Sequence, residues 1–459
     1  MLMARSTRRG TALVASEALL ILGAIMMVDL RLGTSPAGSA AQVLLKALLI
    51  TVVCQVCLYS RDLYERELSA DRQELVARVL QGLGVTSVVL AIVYSWFPTL
   101  SIGPGVFGGS VIILALLLAP WRVGLSWATT RFGFRERLLV VGTNKTAQAL
   151  ADEVWDRAHI GVEIVGFIEP DGSHQLPSGP SMPGIIGTIE DIPAIVRARA
   201  VDRVVVSLAD ARGKLPMDKL LEMKIDGVQF AHLASVYEEY TGRIALENLR
   251  PSWLIFSSGF NKTRLLSVGK RLIDITAASL GFLLSLPLLI AVTIAVKATS
   301  QGPVLYSQRR VGKDGQIFVM YKFRSMRQDA EAKTGAVWAT VGDSRVTPVG
   351  RFLRRMRLDE LPQLWNVLIG EMSLVGPRPE RPEFVADLTK NIPFYGQRHV
   401  AKPGLTGWAQ VRYTYGASME DAIVKLQYDL FYIKHLSLWL DISIILRTIK
   451  IVLLGRGAC

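Results

Sequence analysis

The sequence predicts a multi-domain membrane protein: an N-terminal bundle of four transmembrane helices, an α/β middle domain, and a mainly α C-terminal domain with one more membrane helix. Three observations carry that reading. Half of the 459 residues are hydrophobic and the mean hydropathy is +0.34, high for a protein folded in water. Four apolar runs, Thr11–Leu30, Val43–Tyr59, Val76–Phe97 and Val106–Trp127, precede residue 130. After Arg137 short apolar strands begin to alternate with helical segments. The expected divisions are 1–130, 137–250 and 262–459.

Each of the four runs is close to the length a helix needs to cross the hydrocarbon, about 20 residues. The first resembles a signal peptide in following Arg5, Arg8 and Arg9, but Asp29 and Arg31 come after it without a small-residue cleavage site. Basic residues alternate by side. Arg31 alone occupies the first loop, Arg61, Arg66, Arg72 and Arg78 lie in or beside the second, and the loop around Pro98–Pro104 has no charge. Arg131, Arg135 and Arg137 follow the fourth run. This pattern puts the N-terminus and everything after Arg131 in the cytoplasm. No ionisable residue is expected mid-span, so the helices are read as an anchor that also suits self-association, not as a transport path.

Of three cysteines, Cys54 and Cys57 lie inside the second run and Cys459 ends the chain. Two thiols without further ligands nearby do not make a zinc site, and helix packing accounts for the pair. Lys plus Arg exceed Asp plus Glu, 52 to 39, for a net charge of +13. That excess suits an anionic membrane, phosphorylated substrates or nucleic acid, and its sign does not choose among them.

In the middle domain, Leu138–Gly142 reads as a buried strand entering a glycine turn, with a helix over 143–155 capped by Thr143 or Asn144. Strands follow at Val162–Ile168, around 184–189 and at Val201–Ser207, and helices over 191–200 and from Pro216. Gly142-Thr-Asn-Lys-Thr146 has one glycine where a dinucleotide fingerprint needs three. A spacer or regulatory module is the preferred reading.

Chemistry concentrates after Lys262. Leu272–Val296 is apolar, contains Pro287, and has basic residues on both sides: Lys262, Arg264, Lys270 and Arg271 before, Lys297, Arg309 and Arg310 after. A straight span would put one basic flank outside, so a re-entrant helix broken at Pro287 is expected. From Gln301 to Glu360 twelve Lys or Arg face six acids in what reads as an irregular segment. It ends on Asp359-Glu360, behind Arg354, Arg355 and Arg357 and before Pro362. Pro362 sets a helix start there, leaving the carboxylates at a break. Such a pair among arginines suits a metal and a phosphate, although a salt-bridged surface helix has the same spacing. The run Leu436–Leu454 contains Asp441, Arg447 and Lys450, which argue against a span and for an interfacial helix.

Four motifs occur in order: Lys322-Phe-Arg-Ser-Met326, Leu358-Asp-Glu-Leu-Pro-Gln-Leu364, Met372-Ser-Leu-Val-Gly-Pro-Arg-Pro379 and Lys402-Pro-Gly-Leu-Thr-Gly-Trp408. Together they resemble the bacterial polyprenyl-phosphate sugar-1-phosphate transferases, or phosphoglycosyl transferases, over Lys262–Cys459. Leu426–Lys434 looks like the same family. The whole chain resembles the large exopolysaccharide-initiating members, whose middle domain is Rossmann-like. The resemblance implies transfer of a hexose-1-phosphate from a nucleotide sugar, on UDP, to a polyprenyl phosphate such as undecaprenyl phosphate. It implies an enzyme of the bacterial inner membrane with its catalytic domain cytoplasmic, no nucleic-acid partner, and room for a homo-oligomer.

The resemblance also implies roles. Asp359 is the nucleophile and the protein ligand of Mg²⁺, and Glu360 assists as base or holds the metal shell. Arg354 and Arg378 clamp phosphate, with Lys322 and Arg324 beside them, and Pro287 is the re-entrant helix break. A carboxylate nucleophile divides one exchange between two anions into two steps, with the metal offsetting their repulsion. Two departures stand out. The family often has Ser-Pro at the break where this chain has Leu286-Pro287 with Ser285 before, and Ser or Thr where Arg357 stands.

Two rival readings stand against this one. A membrane-anchored nucleotide-sugar dehydratase or epimerase needs a glycine fingerprint and a Tyr-x-x-x-Lys pair, and no Tyr here has Lys four positions on. A scaffold or sensor of polysaccharide export gives Asp359-Glu360 and the basic segment no task.

Overall fold

The computed structural model describes the chain except for residues 1, 33–39, 61–62, 64–71, 133–135, 157–160, 170–182, 208–216, 247–258, 261, 328–344, 414–415, 417 and 454–459. Arg61, Arg66, the charged residues between 328 and 344, and Cys459 therefore lie outside the described residues. The chain divides into two compact units, 1–240 and 241–459.

Unit one opens with four apolar helices, α1 (Leu2–Leu32), α2 (Ala40–Ser60), α3 (Arg72–Trp96) and α4 (Pro104–Phe132). Each packs on two of the others: α1 on α2 and α4, α3 on α2 and α4. Ile21, Ile25, Cys54, Leu58, Leu83 and Leu118 fill the space between them. Cys54 and Cys57 are buried and not joined in a disulfide, as helix packing requires. A Cβ at Gly82 would stand 2.8 Å from Leu58, so glycine lets α3 approach α2.

Two ionisable residues lie toward the ends of the first and fourth spans, not mid-span, and are buried. Glu17 on α1 and Arg122 on α4 are both buried, with Arg122 Nη2 donating to Glu17 Oε2 at 2.8 Å. Arg122 also donates to the Leu63 carbonyl. The pair is internally neutralised, which is how a span tolerates charge.

The rest of unit one carries a five-stranded sheet with all strands parallel, in the order β3-β2-β1-β4-β5. Its strands are β1 (Glu136–Val141), β2 (Val162–Ile168), β3 (Ile185–Gly187), β4 (Arg203–Val206) and β5 (Gln229–His232). The helices between them are α5 (Lys145–Asp156), α6 (Ile192–Arg199) and α7 (Met217–Ile225), and α8 (Leu233–Thr241) follows. Asn144 caps α5, its Oδ1 accepting from Ala147 N at 3.0 Å. The strand β5 and helix α8 were not anticipated; α8 is tied back by Tyr240, whose hydroxyl donates to Glu136 at 3.0 Å.

Unit two begins with α9 (Arg264–Thr299), a single helix of 36 residues. The expected break at Pro287 is absent: the helix continues through it. Proline forfeits one backbone bond and crowds the carbonyl four residues back, which kinks a helix more readily than it ends one in apolar surroundings. The Ser285 hydroxyl donates to Phe282 O at 3.2 Å just before the proline.

The segment read as irregular contains an antiparallel hairpin, β6 (Leu305–Val311) with β7 (Ile317–Phe323), pairing Tyr306 with Lys322 and Arg310 with Phe318. Its turn runs through Asp314 and Gly315, both at positive φ (54° and 78°). Then come α10 (Pro348–Arg355), α11 (Gln363–Ile369), β8 (Ser373–Val375), α12 (Pro382–Asn391), β9 (Gly404–Thr406), α13 (Trp408–Arg412), α14 (Met419–Lys434) and α15 (Leu438–Leu453). Asp441 on α15 is buried and pairs with Lys270 on α9 at 2.6 Å, so that charge faces the core. Trp439, Ile442 and Ile449 are exposed on the same helix. Among the described residues, α9 and the four N-terminal helices are long and apolar enough to cross a membrane.

Candidate active site

The site is built on β7, the turn between α10 and α11, and the loop after β8. Phe318 and Met320 point from β7 into a core with Leu364 and Val367 of α11. Lys322 continues that row, because alternate residues of a strand share a face. Asn366, fully buried, fixes α11 against β7. Its Nδ2 donates to Val319 O at 2.7 Å and its Oδ1 accepts from Tyr321 N at 3.2 Å.

Helix α10 starts at a Thr347 cap, whose hydroxyl accepts from Gly350 N at 2.9 Å. A Cβ at Gly350 would lie 2.0 Å from Ser325 O, so only glycine lets α10 meet the end of β7. Arg354 then donates from Nε to Ser325 Oγ at 2.9 Å. After α10 the chain reverses through Arg357 at φ 57°, a left-handed conformation uncommon outside glycine. Leu358–Glu360 form one 3₁₀ turn, and Pro362 precedes α11. The carboxylates thus stand at a break beside a helix start, as expected, but Asp359 is buried.

Glu360 Oε1 accepts from Arg378 Nη2 at 2.7 Å and from Lys322 Nζ at 3.4 Å. Burial opposes ionisation of Glu360, yet Arg378, Lys322 and Arg357 outweigh it and hold its pKa well below the usual carboxylate range. Asp359 moves the other way. Burial and then the Glu360 charge raise its pKa, against Lys322, Arg354 and Arg378. Burial also pushes the Lys322 ammonium down, with Glu360 pulling it back. Among the described residues no donor hydrogen-bonds to the Asp359 carboxylate. One carboxylate is saturated by cations and its neighbour keeps its lone pairs.

Arg378 lies in Gly376-Pro-Arg-Pro379, and its backbone is held carbonyl by carbonyl. Pro377 O accepts from Gly404 N (2.9 Å), Arg378 O from Arg398 Nη2 (2.9 Å), Pro379 O from Arg310 Nη1 (3.0 Å) and Glu380 O from Val311 N (3.0 Å). Upstream, Asp274 accepts from Ser373 Oγ and Leu374 N at 3.0 and 2.9 Å, and Lys270 donates to Val375 O at 2.9 Å. The parallel pair β8–β9 is so close that a Cβ at Gly404 would sit 2.1 Å from Gly376 N.

The structure therefore brings together Lys322, Arg354, Asp359, Glu360 and Arg378. Arg324 is not in that cluster: its Nη2 donates to Ser300 O and Oγ, both at 2.8 Å, at the end of α9. Pro287 lies within α9. Sequence reasoning missed the buried Arg398–Asp429 pair, 2.7 Å apart, behind Arg378. The one available signal was an aspartate amid apolar residues of α14.

Comparison with known proteins matches residues 265–455 to the bacterial sugar transferase family model and residues 59–219 to a CoA-binding domain model. The chain is 44% identical over 227 residues to the UDP-N-acetylgalactosamine-undecaprenyl-phosphate N-acetylgalactosaminephosphotransferase of Aeromonas hydrophila, covering 50% of this chain and 53% of that one. The match thus spans about half of that relative's length. Over 356 residues it is 34% identical to the UDP-glucose:undecaprenyl-phosphate glucose-1-phosphate transferase of Xanthomonas campestris pv. campestris, covering 74% of this chain and 72% of that one. The enzyme of the same name from Escherichia coli K12 is 33% identical over 372 residues, covering 78% and 75%.

Proposed function

The chain belongs to the bacterial polyprenyl-phosphate sugar-1-phosphate transferase family, and from that premise we propose that it transfers a hexose-1-phosphate from a UDP-sugar to undecaprenyl phosphate. The product would initiate an exopolysaccharide or related glycan. The observation that carries the assignment of roles is the unequal carboxylate pair: Glu360 bound by Arg378 and Lys322, and Asp359 buried without a described donor.

In the first half-reaction an Asp359 oxygen attacks the phosphorus bearing the sugar. The bond from that phosphorus to the bridging oxygen breaks, UMP leaves, and a phospho-sugar remains on the carboxylate. In the second, a phosphate oxygen of the lipid attacks the same phosphorus and Asp359 leaves as carboxylate. The raised pKa of Asp359 suits a nucleophile, since a more basic carboxylate donates electrons more readily. Lys322, Arg354 and Arg378 offer charge to phosphate oxygens. Glu360, held ionised, is a poor proton acceptor near neutrality, and its task is to aim Lys322 and Arg378.

The residues fit Mg²⁺ in the mode where one protein carboxylate and substrate phosphates share the ion. Asp359 has lone pairs to give, while no group of three or more His, Cys, Asp or Glu among the described residues forms a protein cage. When bound, the ion would offset repulsion between Asp359 and the diphosphate.

The chain comprises a bundle of four transmembrane helices over 1–130, a Rossmann-like domain over 137–250 acting as spacer or regulator, and a catalytic domain over 262–459. The parallel order β3-β2-β1-β4-β5 supports the second of these. Everything but the membrane helices faces the cytoplasm. Helix α9 would be re-entrant. At about 54 Å it exceeds the roughly 30 Å hydrocarbon core, and both its halves pack on the charged domain. Ala278 and Phe282 meet Met320 and Leu364, while Val292 and Val296 meet Phe323 and Leu353. Packing of both halves on one domain supports an arrangement with both ends on one side.

The test uses the full chain in lipid nanodiscs with Mg²⁺ and labelled UDP-glucose or UDP-N-acetylgalactosamine, without acceptor. UMP should be released and sugar phosphate retained on the peptide containing Asp359, then discharged by undecaprenyl phosphate. Asp359→Asn should do neither while remaining folded. An adduct elsewhere, or competent turnover with no adduct, overturns the reading.

A further inference from the structure

We propose that Arg324 seats the phosphate of the lipid acceptor, at the point where α9 ends and its apolar surface gives way to the charged domain. This deepens the proposed function, on which it rests. Lys322, Arg354 and Arg378 would then serve the nucleotide sugar, and Arg324 the second substrate.

The observation is an uncompensated cation. Arg324 is only 7% exposed. Its backbone N donates to Val304 O at 2.9 Å and its Nη2 is committed to Ser300. Its Nε and Nη1 are buried with no hydrogen-bond partner, and no carboxylate pairs with it among the described residues. A guanidinium does not shed its proton to escape such a place. The other buried arginine among the described residues of this unit, Arg398, is matched by Asp429 at 2.7 Å. The C-terminal dipole of α9, about half a charge, partly balances Arg324 through Ser300 but leaves its other donors unmade. Unmade donors on a buried charge call for an anion.

Position identifies which anion. Arg324 directly follows the last residue of β7, two positions and about 7 Å along the chain from Lys322, so a phosphate at Arg324 neighbours the Lys322–Glu360 cluster. Ser325 links to Arg354 at 2.9 Å on the other side. Ser300 closes α9, whose last turns expose Leu288, Ile290 and Ile294. A long isoprenoid chain lying along those residues would present its headgroup where α9 stops. A soluble nucleotide sugar has no use for that apolar approach. A phosphate oxygen of this lipid is the atom that attacks the phospho-sugar in the second half-reaction, releasing the Asp359 carboxylate.

The test takes the full chain in phosphatidylcholine nanodiscs. Arg324→Gln should release UMP from UDP-sugar without acceptor at the wild-type rate. Its KM for undecaprenyl phosphate should rise about tenfold to a hundredfold, the usual effect of losing a charged hydrogen bond. Ser300→Ala, which only loosens the aim of the guanidinium, should raise the same KM several-fold and serves if Arg324→Gln does not fold. Thermal stabilisation is read in parallel with undecaprenyl phosphate, phosphatidylglycerol and inorganic phosphate. The lipid phosphate should stabilise wild type, and Arg324→Gln should lose that effect. An unchanged KM in a folded Arg324→Gln, or in Ser300→Ala where it alone folds, overturns the proposal. So does loss of the acceptor-free step in Arg324→Gln, which would assign Arg324 to the donor. Loss of stabilisation by phosphatidylglycerol or inorganic phosphate alone would reassign the seat to bulk lipid or a free ion. Wild type that releases no UMP counts against the proposed function, while the stabilisation arm still judges the seat.

Discussion

Replacing Glu360 by Gln separates two roles for this side chain. A general base would lose its titration altogether. A charged group that positions Lys322 and Arg378 would instead leave a titration that shifts. In the wild type, Glu360 sits beside Asp359 and raises its pKa, second only to burial, while Lys322 and Arg378 lower it. Gln at 360 removes the like charge and frees the two cations, held at 3.4 and 2.7 Å, to act on Asp359. Both changes have the same sign, so the Asp359 pKa must fall. At an effective dielectric near 20, one charge about 6 Å away is worth roughly 2.8 kcal/mol, or about two pH units, and solvent entry would reduce this to about one. The assay is acceptor-free UMP release in single turnover, from about pH 4 to pH 8. Under the proposed mechanism the adduct requires ionised Asp359, so in wild type the rate should fall as pH drops through a pKa above the ordinary aspartate value. In Glu360→Gln that acid limb should move down by about one to two units, and the plateau should drop because a less basic carboxylate is a weaker nucleophile. An acid limb that stays in place, or moves up, would refute the reasoning. A limb that vanishes would restore Glu360 as base.

Further outcomes follow from the same geometry. Asp429→Asn leaves Arg398 buried without its carboxylate. It should lower the thermal midpoint of the catalytic unit by about 10 °C, from about 3–5 kcal/mol at 2–4 °C each, and raise the KM for UDP-sugar because Arg398 also holds the Arg378 carbonyl; an unchanged midpoint contradicts this. Gly404→Ala, whose Cβ would stand 2.1 Å from Gly376 N, should abolish folded expression, read by size-exclusion chromatography in detergent. With native cysteines replaced, Leu266→Cys and Gln301→Cys should both react only with cytoplasmic thiol reagents; reaction of one from outside would make α9 a spanning helix. Arg122→Met should destabilise the N-terminal helices by about 3–5 kcal/mol by stranding Glu17, whereas Arg122→Met with Glu17→Leu should recover most of the loss, as measured by thermal unfolding.

The parts of the fold visible in the sequence are those written in local pattern. Four runs of apolar residues gave four helices, although α1 begins nine positions before its run and α4 ends five positions after its own. β1, β2 and β4 were legible because buried parallel strands are continuous apolar runs. β5, Gln229-Phe-Ala-His232, is too short and polar to announce itself, and α8 went with it. The β6–β7 hairpin was obscured by Arg309, Arg310 and Lys322 on its strands, although Lys313-Asp-Gly315 between apolar stretches was a turn signal. Long-range pairing left no local trace. Glu17 and Arg122 were passed over because each alone is one charge near the end of an apolar run. The motif Lys322-Phe-Arg324 reads as two equivalent cations, and only the positions of Ser300 and Glu360 distinguish them.

Why adjacent carboxylates should differ in charge state is answered by the turn that carries them. Had α10 continued, Asp359 and Glu360 would lie 100° apart on a regular helix facing the same cations. Arg357 enters the left-handed region instead and ends α10. The chain then takes one 3₁₀ turn, in which successive side chains diverge by about 120°. Glu360 is thereby delivered to Arg378, whose backbone is clamped at four consecutive carbonyls, and to Lys322, whose strand is fixed by Asn366. Asp359 is turned away from direct contact with both yet stays within their field. The family commonly has Ser or Thr where Arg357 stands, and here the cation adds to the charges that hold Glu360 ionised. A structural ion pair would gain nothing from leaving the first carboxylate buried and, among the described residues, without a donor. A nucleophile needs that arrangement, because each hydrogen bond to its oxygen would have to be broken before attack on phosphorus.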